Sequence, residues 1–339
     1  IMYTRYKKGA FPFSETILTF PLKGDGPLWG ELSDFFAKRG LILYGGHRMN
    51  QMDLRALAKI NLGLDVLGRQ ENGYHTVRMV MQTIYLYDEV RLIRKKDPGV
   101  EIVTNLPYLP TGEGNIAYKA ARLLQDEFDI KEGIRISLKK HIPVAAGLAG
   151  GSSNAAAVLF GMNRMFGLGL SMDGLMERGV KLGADVPYCI MRGTVLAEGI
   201  GERLSVLPPM PKCTVLIAKP PVSVSTRAVY EALDAREIAV HPDIDGIIRG
   251  LEKEDLKAVA DAMGNVLEDV TIPMHPVIED IKNEMKAAGA LGAMMSGSGP
   301  TVFGLFENRV DAKKAQRRIR DKALTKQVYI TGIHSVRRS

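Results

Sequence analysis

The sequence predicts an α+β protein of two domains, and three observations carry that expectation. Segments with the period of two that marks strands interleave with segments of the helical period 3.6, yet several strand-like stretches follow one another as hairpins do, which argues against a simple doubly wound sheet. At 339 residues the chain is long enough for two cores. Pro208, Pro209 and Pro211 supply a boundary between them. The resulting division is an extension over 1–51, a first domain over 52–208 and a second over 209–339.

Residues 1–51 hold the only tryptophan, Trp29, and five of the ten phenylalanines, with no sustained period. Seven Lys/Arg against four Asp/Glu place +3 of the net +7 there. Met49 and Met52 stand just ahead of the first regular pattern, so the segment reads as upstream or leader sequence, disordered and dispensable. The alternative is an extra segment whose aromatics pack on the body. From Asp53 onward Leu54, Ala56, Ala58, Ile60, Leu62 and Leu64 alternate with mostly polar neighbours, a strand that sets Lys59 and Asn61 on the face opposite the apolar set. A lysine on such a face is ordinarily only solvated. The turn Asn72-Gly73-Tyr74-His75 leads to a strand over 77–87 ending at Asp88, and further strands fall over 101–104 and 134–138. Residues 115–128 between them read as a helix with Ile116, Ala120, Leu123 and Leu124 on one side.

After a glycine-rich stretch, an alanine-rich helix runs to about Gly167, and Ser171 caps a second amphipathic helix through Leu182. Gly183-Ala184-Asp185-Val186-Pro187 then reads as a turn displaying one carboxylate before a strand over 188–198; an aspartate beside glycine is by itself ordinary turn chemistry. In the second domain the pattern gives strands over 214–218, 301–305 and 328–332. Helices are expected around Tyr230, over 244–262, over 275–288 and over 310–323. Met-Met-Ser-Gly-Ser-Gly-Pro, 294–300, makes a turn ahead of the middle strand.

Composition narrows the function classes. Hydrophobic residues at 46% and charged residues at 24% are those of a globular protein. Apolar runs stop well short of the roughly 18 residues that span a bilayer, and no secretory leader pattern is present, so no membrane partner and a cytoplasmic location are expected. Cys189 and Cys213 are the only cysteines, which leaves no disulfide framework and no zinc spacing. The basic balance, pI about 9.2, comes from scattered residues without a Lys/Arg block or interleaved aromatics, so nucleic acid is not an expected partner. A modest positive potential does suit a polyphosphate.

Residues 142–159 read Ile-Pro-Val-Ala-Ala-Gly-Leu-Ala-Gly-Gly-Ser-Ser-Asn-Ala-Ala-Ala-Val-Leu. Pro143 opens a loop, Gly147, Gly150 and Gly151 let its backbone approach a ligand, and Ser152 or Ser153 is positioned to cap the helix that follows. A glycine loop feeding a helix N-terminus offers unpaired N–H groups and a partial positive charge to phosphate; taken alone it could equally be a tight turn into a packed helix. The spelling excludes a P-loop, which needs lysine before the Ser/Thr, and the dinucleotide fingerprint Gly-x-Gly-x-x-Gly.

Together, Ala-Lys-Ile-Asn-Leu at 58–62, Gly-Tyr-His at 73–75, Pro-x-x-x-Gly-Leu-x-Gly-Gly-Ser-Ser at 143–153, Gly-Ala-Asp-Val-Pro at 183–187 and Ser-Gly-Ser-Gly at 296–299 resemble the GHMP kinase superfamily. Their order and spacing are those of the branch that acts on 4-diphosphocytidyl-2-C-methyl-D-erythritol (CDP-methylerythritol) in non-mevalonate isoprenoid synthesis. The resemblance spans about 53–335 and implies a two-domain GHMP kinase fold with the active site in the inter-domain cleft. It implies Mg-ATP as cosubstrate and phosphorylation of the tertiary 2-hydroxyl of CDP-methylerythritol. Phosphoryl transfer needs the γ-phosphate held in line with a hydroxyl, its charge neutralised, and a group that takes or orients the hydroxyl proton. The resemblance gives the last role to Asp185, with Lys59 as its cationic neighbour.

By the same carry-over, ATP lies along Pro143, Val144, Ala145, Ala146, Gly147, Leu148, Ala149, Gly150, Gly151, Ser152 and Ser153, with Asn115 and Lys140 beside the adenosine nucleotide. Tyr74 and His75 form the cytidine site, with Tyr230 as a second aromatic sandwiching the base; packed inward on its helix, Tyr230 could instead be structural. Asn61 and Thr226 help bind the substrate. Ala145, Ala146 and Ala149 stand where many relatives have glycine, and the retained Gly147, Gly150 and Gly151 are expected to take any positive φ the loop needs. A homoserine- or mevalonate-type kinase would share the loop but lack Tyr74-His75, and a non-catalytic relative would lack Lys59 or Asp185.

Overall fold

A computed structural model describes residues 49–71, 73–234, 238 and 240–336. The expectations for residues 1–48, and Asn72 of the predicted turn, lie outside the described residues. Residues 50–335 cluster as one compact unit built on two sheets. A long antiparallel hairpin of β1 (Gln51–Arg69) and β2 (His75–Lys95) is the frame. One part of β2 pairs with β4 (Gly133–Lys139), which carries β3 (Val100–Thr104) in parallel on its far edge; the other part pairs with β5 (Thr194–Gly199), which carries β6 (Arg203–Val206). Beyond β1 the short β8 (Gly264–Asn265) runs parallel to it and completes the seven-stranded sheet. The second sheet has four antiparallel strands in the order β11 (Gln327–Gly332), β7 (Thr214–Lys219), β10 (Val302–Phe306), β9 (Gly292–Met295). The mixture of largely antiparallel sheets with helices is the α+β architecture the sequence predicts.

The main core lies between the sheets. Ala58, Ile60, Leu62, Val80 and Ile84 of the first meet Val215, Ile217, Met294, Phe303 and Leu305 of the second, all at most 3% exposed. Each such fully buried large side chain contributes about 1.5–3 kcal/mol over leaving it in water. On the other face of the first sheet lie α1 (Ile116–Glu127), α2 (Gly150–Phe166), α3 (Met172–Leu182) and α4 (Asp185–Met191). β1 is therefore covered on both faces, and Lys59 and Asn61, expected on a solvated face, are buried at 5% and 0% exposure. The pairing register slips between Leu57 and Lys59, where β2 advances by four residues against two on β1. Ile84, released by that slip, pairs with Ile333. The second sheet is backed by α9 (Val277–Ala287) and α10 (Arg309–Asp321).

Four local expectations change. The stretch after Leu182 is not a turn into a long strand: Asp185 opens α4, and only Thr194–Gly199 is extended. Pro187 fits because a helix's first turn needs no donor there, while Val186, Tyr188, Cys189 and Ile190 bury the helix. The predicted helix over 244–262 is two, α6 (Ile244–Glu252) and α7 (Leu256–Asp261). The break sits at Glu254, with φ +53°, and Asp255 caps α7 by accepting from Ala258 N at 3.0 Å. A short α8 (Glu268–Met274) precedes α9, which starts at Val277 rather than 275. Ser171 does cap α3, accepting from Gly174 N at 3.1 Å, but α2 starts at Gly150 behind Ala149, with no side-chain cap from Ser152 or Ser153.

Candidate active site

A cleft of about 970 Å³ draws its walls from both halves of this unit, including Lys59, Tyr74, His75, Lys140, the glycine loop, Asp185, Thr226, Tyr230, Gly297 and Ser298. Its floor begins at β1. The Lys59 backbone N–H donates to Leu148 O at 3.1 Å, and Ser153 Oγ donates to Leu57 O at 2.7 Å, so the loop and the helix after it are fastened to the strand at the lysine and two residues before it. Lys59 Nζ donates to Asn61 Oδ1 at 2.7 Å and lies 3.7 Å from Asp185 Oδ2. The lysine side chain is 6% exposed and the aspartate 34%. A buried cation thus backs a carboxylate that opens to the cleft.

The loop carries its conformation differently from the expectation. Ala145 and Ala149 take φ +49° and +55°, alongside Gly147 at +72°, whereas Gly150 and Gly151 lie inside α2. The left-handed region costs an L-residue about 1–2 kcal/mol, so two of the three alanine departures are strained, contrary to what the retained glycines suggested. At Gly147 an alanine has no room, because a Cβ there would meet Ser296 O at 2.0 Å. The contact is reinforced where Ser296 Oγ donates to Gly147 O at 3.0 Å. With no side chain capping α2, its first-turn N–H groups face the cleft through Gly150, Gly151 and Ser152. An uncapped helix end of this kind is a seat for anions.

Other predicted residues serve the site from behind. Leu148 belongs to the inter-sheet core, and the Ser153 hydroxyl is spent on Leu57. Asn61 is buried behind Lys59, donating to Met79 Sδ at 3.4 Å. Asn115 lines the cleft but caps α1, accepting from Ala117 N at 3.0 Å and donating to Pro110 O at 2.8 Å. Lys140 reaches the cleft wall, yet its ammonium is held by Asp88 and donates to Asn154 Oδ1 at 2.8 Å. Asp88, wholly buried, also accepts from His141 N at 2.7 Å, Ile142 N at 2.8 Å and Asn154 Nδ2 at 2.9 Å. Its carboxylate is the clasp under the loop's entry.

At the far end of the cleft Tyr74 is 60% exposed. The His75 and Tyr230 rings touch, centroids 4.7 Å apart and tilted by 37°. A base between two rings needs about 7 Å, two contact distances of about 3.5 Å, so no base fits between His75 and Tyr230; the sandwich expected of Tyr230 is with Tyr74, a separate pair. Burial pushes the Tyr230 hydroxyl up to about 12. His75 Nε2 lies 2.5 Å from Asp234 Oδ1, and Arg69 is 3.3 Å from Asp234 Oδ2. Thr226 Oγ1 and Ser298 Oγ are 2.8 Å apart and tie α5 (Thr226–Asp234) to the Ser-Gly-Ser-Gly turn. Asp88, Asn154, Arg69, Asp234 and Ser298 were not singled out from the sequence. Ser298 lies inside a quoted motif, Asn154 inside the glycine-rich stretch 142–159 and Asp88 at the end of a predicted strand, whereas Arg69 and Asp234 carried no local signal.

No group of three or more His, Cys, Asp or Glu able to hold a metal occurs among the described residues. Magnesium often takes one or two carboxylates together with substrate phosphates, and Asp185 with the Ser152 hydroxyl offers oxygen donors beside the loop. That set fits a phosphate-borne ion and not a metal caged by protein. No helix of the described residues is long and apolar enough to cross a membrane.

Comparison with known proteins agrees with this geometry. Residues 115–193 match the family model for the GHMP kinases N terminal domain and residues 247–324 the one for GHMP kinases C terminal. The chain is 56% identical over 283 residues to a 4-diphosphocytidyl-2-C-methyl-D-erythritol kinase of Lachnospira eligens, covering 84% of this chain and 98% of that one. It is 54% identical to the protein of that name in Lachnoclostridium phytofermentans, over 84% and 97%. A crystal structure of 4-(cytidine 5'-diphospho)-2C-methyl-D-erythritol kinase superposes with TM-score 0.71 at 32% identity, covering 84% of this chain and all of that one. A homoserine kinase from Cytophaga hutchinsonii, TM-score 0.72 at 23% identity over 86% and 97%, shares the fold.

Proposed function

Because the chain belongs to the 4-diphosphocytidyl-2-C-methyl-D-erythritol kinase family, a branch of the GHMP kinases, we propose that it transfers the γ-phosphoryl group of ATP to the tertiary 2-hydroxyl of CDP-methylerythritol. The observation that carries the chemistry is Lys59 Nζ at 3.7 Å from Asp185 Oδ2, at the edge of a cleft that also contains an uncapped helix N-terminus. The loop and the first turn of α2 hold the phosphates. Asp185 orients the acceptor hydroxyl and takes its proton as the oxygen bonds to γ-phosphorus; the bond from γ-phosphorus to the bridging oxygen breaks and ADP leaves. Lys59 keeps positive charge beside the carboxylate and the reacting oxygens. Magnesium, held on the phosphates with Asp185 and Ser152 nearby, would neutralise phosphate charge.

Tyr74 and His75 take the cytidine, with Tyr230 braced against His75 and Thr226 near the polyol. Asn61 acts through Lys59, and Lys140 through the loop. The proposal includes a first domain ending near 208, a second beginning near 209, and a reducing, cytoplasmic setting in which the buried, unpaired Cys189 and Cys213 remain thiols. The test is ATP consumption with CDP-methylerythritol, mevalonate and homoserine in parallel. Turnover confined to the CDP-linked acceptor is expected, and turnover of either of the others in its place would overturn the reading.

A further inference from the structure

We propose that Asp234, braced by Arg69, sets the tautomer of His75 and thereby makes the site prefer cytosine over uracil. The inference rests on the cytidine reading above and adds to it the residues that decide which base is accepted. His75 Nε2 is 2.5 Å from Asp234 Oδ1. An ionised carboxylate can only accept, so the proton of a neutral imidazole sits on Nε2 and Nδ1 is left as an acceptor. The other carboxylate oxygen faces the Arg69 guanidinium at 3.3 Å, which fixes the carboxylate so that Oδ1 is turned to the histidine. Tyr230 packs its ring on the imidazole at 4.7 Å between centroids and restricts its rotation. The His75 side chain is 11% exposed and lines the cleft, so the neutral ring held this way offers a lone pair at Nδ1.

Cytosine and uracil differ at the edge such a lone pair reads. Cytosine carries a 4-amino group, a donor, which pairs with Nδ1. Uracil carries an oxygen there, an acceptor, so two lone pairs would confront each other and both would lose their hydrogen bond with water. A site built to hydrogen-bond one group rejects its unmatched analogue strongly, because the buried partner is left unpaired. Asp234 touches neither base nor reacting atoms. It is a positioning residue, and its effect reaches the substrate only through His75.

Two measurements test this. Steady-state kinetics with the CDP-linked and UDP-linked methylerythritol substrates give the ratio of their kcat/KM values, together with the KM for ATP. In Asp234→Asn, whose amide can donate to Nε2 as well as accept from it, the preference for the CDP-linked substrate should fall about tenfold, chiefly by a rise in its KM. The KM for ATP should stay within about twofold, and Asp234→Glu should restore most of the preference. An unchanged ratio in Asp234→Asn, or an equal rise in the KM for ATP, would overturn the inference while leaving the kinase reading intact. The second measurement needs no turnover: the imidazole nitrogen spectrum of the substrate-free chain, recorded in alkaline buffer where imidazole is neutral, should show the His75 proton on Nε2. A neutral ring carrying its proton on Nδ1 would sink the proposal whatever the enzyme phosphorylates.

Discussion

Asn154 Nδ2 donates to Asp88 Oδ2 at 2.9 Å, joining the second turn of α2 to a strand residue 66 positions earlier, beneath the loop. Asp88 is fully buried and Lys140 is its cation. Deleting one member of a buried pair leaves the other uncompensated and costs about 3–5 kcal/mol. Asp88→Ala should therefore lower the unfolding free energy by about that amount in denaturant titrations. Asp88→Leu combined with Lys140→Met should cost less than the two single changes added together, because the pair is coupled. Additive losses would show that the two side chains act separately.

The loop yields opposite outcomes at neighbouring positions. Ala145 and Ala149 already occupy positive φ, so glycine at either removes about 1–2 kcal/mol of strain and returns about 0.5–1 kcal/mol through the freer unfolded chain. Ala145→Gly or Ala149→Gly should raise stability by roughly 0.5–1 kcal/mol, measured from the denaturant midpoint. Gly147→Ala should do the reverse. It adds the same strain plus a Cβ driven against Ser296 O, so both stability and affinity for ATP should fall, the latter read by a direct binding titration.

Asp185→Asn keeps the shape at the head of α4 and removes the charge 3.7 Å from Lys59. If the carboxylate takes or orients the acceptor's proton, turnover should fall at least about 10²-fold, with smaller changes in KM. Single-turnover kinetics at saturating substrate measure this directly, and near-normal rates would remove Asp185 from the chemistry.

How far the sequence reveals this site depends on the range of the interactions involved. The glycine loop, the Lys59 and Asp185 motifs and the helix capped by Ser171 are written in consecutive residues, so their positions are legible. Lys59 reads as solvated because strand alternation reports only which face a residue takes; that α2 and α4 cover this face is a tertiary fact. Asp88 and Asp234 are invisible for the same reason, their partners lying 52 to 66 and 159 residues away. Helix α4 reads as a turn because Gly183-Ala184-Asp185 spells turn chemistry, and burial of Val186 and Tyr188 overrides that local propensity. The strain at Ala145 and Ala149 shows the limit of composition: a loop with three glycines need not place them where φ is positive.

Both thiols should respond to alkali in a defined direction. Burial holds the Cys213 thiol up to about 12 and pushes Cys189 higher still, against an ordinary value of 9.0. Folding therefore favours the protonated form. The contribution is complete below pH 9, where the unfolded chain also keeps its protons, and is lost as pH rises from 9 towards 12 and the unfolded state alone ionises. The melting temperature should decline over that window. At pH 8 the native chain should resist a thiol reagent that labels both cysteines once it is denatured.

The last prediction separates the two aromatics of the base site. The His75 and Tyr230 centroids are 4.7 Å apart, so no base enters between them, and in the cytidine reading the exposed Tyr74 ring on the cleft wall carries stacking while Tyr230 braces His75. A stacked ring contributes about 1–3 kcal/mol per base. Tyr74→Ala should thus raise the KM for CDP-methylerythritol about tenfold or more and leave the KM for ATP nearly unchanged. Tyr230→Phe should be almost silent, since it keeps the ring that braces His75. Tyr230→Ala frees the imidazole and should erode the choice between cytosine and uracil more than the affinity for either. Equal losses from Tyr74→Ala and Tyr230→Ala, with selectivity intact, would mean that Tyr230 stacks on the base opposite Tyr74 instead of bracing His75.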